Sequence, residues 1–346
     1  MHNRKKDDMQ FGILSFGDLR QDGSGQRQHV RDQLREQLER IQLAEDVGLG
    51  FYGIGEHHLP EYAVSHPGSV LAAAAAVTDR ITLSSAVTVL STEDPVRLYQ
   101  EFATIDQLTS GRAEIIAGRG SFTESFPLFG ASLGDYDALY AEKLGLLLQI
   151  DRQNPVSWTG QHRAPLEDAF IWPRPFGDHL KVSLGTGGNA ESSVRAGSLG
   201  LPIVYAIIGG EPERFAPLVN LYREVGAEAG HGDLEVTMSG IGLISDTSQQ
   251  AKDTYFPYWR STMEAGAKSR GWRIPGRGEY DEFTRGARSI LAGSPSEIVD
   301  RLGPVVELTR PDRYGLQMDW SGVPHADVMR GIELLGTQVA PHFADK

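Results

Sequence analysis

Residues 81–118 read ITLSSAVTVLSTEDPVRLYQEFATIDQLTSGRAEIIAG. The first ten, ITLSSAVTVL, are too apolar on both faces of an extended chain to lie in an exposed sheet. Leu98, Phe102 and Ile105 then recur at helical spacing until Ser110-Gly111 stops the pattern. RAEIIAG at 112–118 is a second extended run. Strand, helix and strand in this order make one parallel unit, because parallel strands need a crossover and a helix is the usual one.

The same alternation extends in both directions. Upstream, FGILSF (11–16) reads as a strand, Leu34, Leu38 and Ile41 mark a helix, FYGIG (51–55) is a strand and 69–79 an Ala-rich helix. Downstream, strands are expected at 180–185, 201–207, 235–244 and 313–320, with helices near 137–150, 189–199 and 212–229 and another running to about 266. Ser294-Pro295-Ser296-Glu297 is a capping box for a helix carrying Ile298, Leu302 and Val305. Val328, Ile332, Leu335 and Val339 form the last helix. Eight strands alternating with helices predict an α/β chain folded as a single eight-stranded parallel β/α (TIM) barrel, with a doubly wound sheet as the alternative. An irregular insertion follows strand four, and the polar segment 268–286 after strand seven is expected to be a mobile loop. Residues 1–10 are expected to be a disordered tail and 11–346 the barrel domain.

The chain has 346 residues, no cysteine and a net charge of −13. Disulfides, thiolate metal sites and a Cys nucleophile are therefore excluded. Nucleic acid and anionic membranes are poor partners for such a charge. MHNRKKDDMQ is followed by no apolar run of leader type, which gives a cytoplasmic expectation.

A barrel places its chemistry at the C-terminal ends of its strands. GEHHLPE follows strand two, so His57 and His58 are candidates for acid–base chemistry, with Glu56 and Glu61 nearby. Adjacent residues of an extended segment point apart, so one of the pair is expected to act. No metal-ligand spacing such as HExxH is present, and no metal is expected. GRGSFTESFPLFG (118–130) follows strand four, and Arg119 between two glycines can fork onto a phosphate. GTGGNAESSVRAG (185–197) follows strand five. Gly187 and Gly188 make the turn, Asn189 can cap the helix, and Ser192 lies in its first turn, which together form an anion site. Gly185, Gly187 and Ala190 also match a dinucleotide fingerprint, which keeps an NAD(P)-dependent dehydrogenase open as a second reading.

Taken in order, these segments resemble the luciferase-like flavin-dependent monooxygenases. The resemblance rests on EHH after strand two, SSAVTVLSTEDPVRLYQEFATIDQLTSGR at 84–112, GRGSFTESFPLFG, GTGGNAES…GLP and the closing LQMDWSGVPHADVMRGIELLGTQVAP. It implies a barrel that takes reduced FMN from a separate reductase, with a deazaflavin as the lesser alternative, and oxygenates a small organic substrate. It implies that Arg119, Gly187, Gly188, Asn189 and Ser192 hold the flavin phosphate. It further implies a non-proline cis peptide at Ala86-Val87 beneath the flavin ring, oxygen chemistry at His57 or His58, and a homodimer. Ser125 stands where luciferase carries an acid and Ile207 where it carries a tryptophan, so the family's aldehyde substrate is not carried over. A non-catalytic flavin-binding protein of the same fold is a third reading, and a metal-dependent barrel hydrolase a fourth.

Overall fold

The computed structural model describes residues 9–22, 24–120, 122–208, 211–271, 273–286 and 288–344, leaving the side chains of 268–270 aside. The first half runs β1 (Gln10–Ser15), α1 (Val30–Asp46), β2 (Phe51–Ile54), α2 (Pro67–Ala75), β3 (Thr82–Ser85), β4 (Thr88–Val89), α3 (Pro95–Thr109) and β5 (Ala113–Gly118). Then come α4 (Ser125–Leu128), α5 (Tyr136–Arg152) and a hairpin of β6 (Val156–Trp158) and β7 (Leu166–Ala169). The alternation resumes with β8 (Lys181–Thr186), α6 (Ala190–Leu199), β9 (Ile203–Ala206), α7 (Ala216–Glu228), β10 (Val236–Ile244) and α8 (Ser248–Arg270). The chain closes with α9 (Arg277–Phe283), β11 (Ile290–Gly293), α10 (Pro295–Thr309), β12 (Arg313–Gln317) and α11 (His325–Leu334).

The sheet closes on itself. β1 pairs in parallel with both β2 and β12, and β10 pairs with both β9 and β12. With β3 and β4 as two halves of one strand, this is the eight-stranded parallel barrel. All nine positions of β10 are buried, as expected of a strand with the barrel interior on one face and helices on the other. Helix starts follow the sequence: Asp94 accepts hydrogen bonds from the N–H groups of Val96 and Arg97, and Ser294 Oγ accepts from Glu297 N–H. At the N-terminal end of the barrel, buried Glu114 accepts from Arg313 at 2.8 Å and from Ser183 at 2.5 Å. Burial pushes the Glu114 carboxyl up, but Arg313 and Lys181 outweigh it and hold the group below its ordinary range.

Four sequence expectations change. The tail expectation for 1–10 lies largely outside the described residues, and Gln10 belongs to β1, opposite Arg313. The third strand is not continuous over 81–90; it breaks at a cis Ala86–Val87 peptide. A ninth short strand, β11, pairs with Ile241–Ile244 of β10; four residues, ILAG, carry too little pattern to be seen. The segment 268–286 is not without regular structure: it holds α9, whose fully buried Tyr280 packs on Phe256 and Trp259 at 5.0 and 5.1 Å. Seven residues with one buried anchor are too short to set up a helical period.

Candidate active site

The C-terminal strand ends converge on a cavity of about 220 Å³. Phe16 enters it from beyond β1, Glu56, His57 and His58 from beyond β2, and Ala86 and Val87 from the break between β3 and β4. Arg119, Phe122, Glu124 and Ser125 come from the loop and helix after β5, Gly187 from the turn after β8, and Ile208 from beyond β9. A second space of about 70 Å³ adjoins it through shared residues and carries an apolar wall of Leu14, Ile116, Val204 and Ile241 down into the barrel. Glycine is required at two points on this wall. A Cβ on Gly118 or Gly185 would lie 2.5 or 2.6 Å from the Val87 side chain, so bare backbone lets Val87 lie across the tops of β5 and β8.

The buried His57 and the half-buried His58 both lie against carboxylates, but through different nitrogens. His57 Nδ1 lies 3.1 Å from Glu124 Oε1, and His58 Nε2 lies 2.8 Å from Glu56 Oε1. Glu56 Oε2 accepts the N–H of Val89 at 2.8 Å, which fastens this pair to β4. The hydrogen bond that His58 donates to Glu56 raises the His58 pKa above the ordinary imidazole value, against an opposing effect of burial. Burial raises the Glu124 carboxyl, yet the His57 hydrogen bond, backbone N–H groups and the His57 charge together outweigh it and leave the group low. Burial and then repulsion from Glu56 raise Glu93 on the outer side.

The expectation that neighbouring histidines point apart needs correction. They do contact different partners, yet both border the same cavity, because residues 55–58 lie beyond the end of β2 and leave the strict strand alternation.

Arg119 Nη1 donates to Asp137 Oδ1 at 2.7 Å, and its guanidinium stands 5.5 Å from the centre of the Tyr136 ring. Tyr136 in turn donates its hydroxyl to the Gly120 carbonyl at 2.6 Å. The turn after β8 is shaped by Gly188, whose φ of +96° favours glycine and whose N–H donates to Thr186 Oγ1 at 3.1 Å. Asn189 caps α6 by accepting the Ser192 N–H at 2.8 Å. Of the predicted phosphate turn, Gly187 reaches the cavity wall, while Gly188, Asn189 and Ser192 are not among its lining residues.

The family pattern described as luciferase-like monooxygenase matches residues 9–310. The chain belongs to the luciferase-like monooxygenase family. The alkanal monooxygenase alpha chain of Photobacterium leiognathi is 23% identical over 322 residues, spanning 86% of this chain and 89% of that one. A solved monooxygenase from Streptomyces bottropensis superposes with a TM-score of 0.85 at 23% identity, covering 97% of this chain and 100% of that one. The oxygenating constituent of 3,6-diketocamphane monooxygenase of Pseudomonas putida, solved with FMN, gives 0.77 at 20% identity, covering 96% and 98%. The coenzyme F420 dependent tetrahydromethanopterin reductase of Methanopyrus kandleri gives 0.73 at 20% identity, covering 97% and 99%.

Within this luciferase-like barrel, sequence reasoning missed Phe16, Phe122, Glu124 and Asp137. Phe16 was legible as a strand-end residue. Glu124 and Asp137 gain meaning only through contacts with His57 and Arg119, which lie 67 and 18 positions away in the chain.

Proposed function

We propose that this chain is a flavin-dependent monooxygenase that uses reduced FMN and dioxygen on a small organic substrate. The observation that carries the reading is that Arg119, Gly187, His57 and His58 line one cavity together. The residues present fit such a cofactor. Arg119 has five N–H donors, one of which serves Asp137, so others remain for a phosphate. A Cβ built on Gly187 meets nothing within 4 Å, so the turn leaves room beside the strand end. The α6 N-terminus behind it adds the helix dipole. Ser125 Oγ is buried on the wall without a hydrogen-bond partner among the described residues, a hydroxyl that a ligand would satisfy.

The electrons that activate dioxygen come from the reduced flavin when it is bound. Arg119 and Gly187 would hold the phosphate end, with the turn through Gly188 and the Asn189-capped start of α6 behind them. Ala86, Val87 and the aliphatic wall would lie under the ring and keep water from it. His57 and His58 would move protons within the same cavity. A separate reductase supplies the reduced flavin in this reading. The likeness to an F420-dependent enzyme motivates a second arm of the test.

The experiment is mass spectrometry of whatever co-purifies, followed by titration with FMN, riboflavin, coenzyme F420 and NAD. Tight FMN binding with oxygen uptake on adding reduced FMN is expected. Preference for F420 would move the chain to deazaflavin chemistry, and preference for NAD would overturn the reading. FMN binding without oxygen uptake would leave a flavin-binding protein only.

A further inference from the structure

Glu124 precedes α4 on the loop after β5, and no sequence pattern singles it out. Its Oε1 lies 3.1 Å from Nδ1 of His57, which belongs to a different loop. The His57 ring is held on other sides by aromatics. Tyr62 stacks on it at 4.2 Å and 22°, while Phe16 and Phe122 meet it edge to face at 4.7 and 4.6 Å. Packing thus fixes the plane of the ring, and the carboxylate fixes which nitrogen faces it. An ionised carboxylate only accepts hydrogen bonds, so the proton of this contact sits on Nδ1. The neutral ring then keeps Nε2 as its acceptor. His58 is held the other way round, with Nε2 toward Glu56 and Glu56 tied to the Val89 backbone.

Resting on the reading of this cavity as a flavin site, we propose that Glu124 is the positioning residue of His57. It holds the imidazole in its Nδ1–H form, so that Nε2 is the nitrogen that takes up or releases a proton. The Glu56–His58 pair is held in the opposite form, so the two neighbouring histidines are not interchangeable. Glu124 suits the task because, despite burial, its contacts with His57 and with backbone N–H groups together keep it on the low side of its ordinary range, which maintains it as an acceptor. It sits on a loop, whereas Glu56 is anchored to a strand. The orientation of His57 therefore depends on how the loop after β5 is seated.

The test is nitrogen NMR of the full chain with labelled histidine, assigning His57 among the ten histidines by a His57→Asn variant. In the wild type the His57 signals should show a protonated Nδ1 and a bare Nε2, favoured about tenfold or more, as a charge-assisted contact implies. Glu124→Ala should shift His57 toward the Nε2–H form, and Glu124→Gln, which keeps an accepting oxygen, should restore the wild-type pattern at least in part. The melting temperature and FMN affinity should move little in either variant, while oxygen-dependent turnover falls in Glu124→Ala and recovers in Glu124→Gln. A wild-type His57 already in the Nε2–H form, or one unchanged by Glu124→Ala, overturns the proposal. The tautomer is read without flavin, so a chain that fails to bind FMN would defeat the functional reading and leave this result standing or falling by itself.

Discussion

His57 and His58 line the same cavity but hold different partners, and this difference sets what each substitution should do. On the proposed function, replacing His57 by alanine removes a proton-transfer group and leaves Arg119 and the Gly187 turn in place. Oxygen-dependent turnover should therefore fall about 100- to 10,000-fold, the usual worth of general acid–base help, while FMN affinity stays nearly constant. His58→Ala should cost turnover less, and equal losses for the two would contradict the distinction. The Glu56–His58 contact carries a pH signature. Because the folded His58 pKa is raised, the stabilisation is fully present below the ordinary imidazole range and is lost as pH rises through the raised midpoint. The melting-temperature gap between wild type and Glu56→Gln should be widest at about pH 6 and narrow above it. A gap independent of pH would show that the pair is not held by charge. Both histidines and Arg119 were legible because strand ends are where a barrel gathers function. Glu124 was not, since its role exists only in a contact across two loops.

The elements show the same division. Periodicity located the eight barrel strands, because runs buried on both faces stand out from the helices between them. It missed the break between β3 and β4, since 81–90 is filled with strand-forming residues on both sides of the Ala86–Val87 cis peptide. The cis site was anticipated from family resemblance and not from pattern. α3 offers a direct check on local reasoning. Asp94 accepts from two N–H groups of its first turn and also pairs with Arg163 at 2.8 Å. Asp94→Ala should destabilise the chain by about 0.5–2 kcal/mol, the usual cost of losing such a cap, as measured by denaturant unfolding. No measurable change would mean that tertiary packing alone holds the start of α3.

Across the whole molecule, the barrel is fastened at one end and open at the other. Glu114, Arg313, Lys181 and Glu235 join the starts of β5, β12 and β8 and the approach to β10, while the opposite mouth carries the cavity. Among the described residues no helix is long and apolar enough to cross a membrane. The expected homodimer also belongs to this scale. α2 exposes Ala73 on a helix of small residues and is followed by exposed Val77, a surface that allows close approach of a second copy. Sedimentation at micromolar concentration should give a dimer, and a monomer there would contradict the expectation. The central claim is that this cavity holds FMN with Arg119 on its phosphate. The most direct test compares dissociation constants of FMN and riboflavin for the wild type and Arg119→Ala. The account predicts that Arg119→Ala weakens FMN by about 1.5–3 kcal/mol and leaves riboflavin, which lacks the phosphate, almost unchanged. An equal loss for both ligands, or none for FMN, would contradict it.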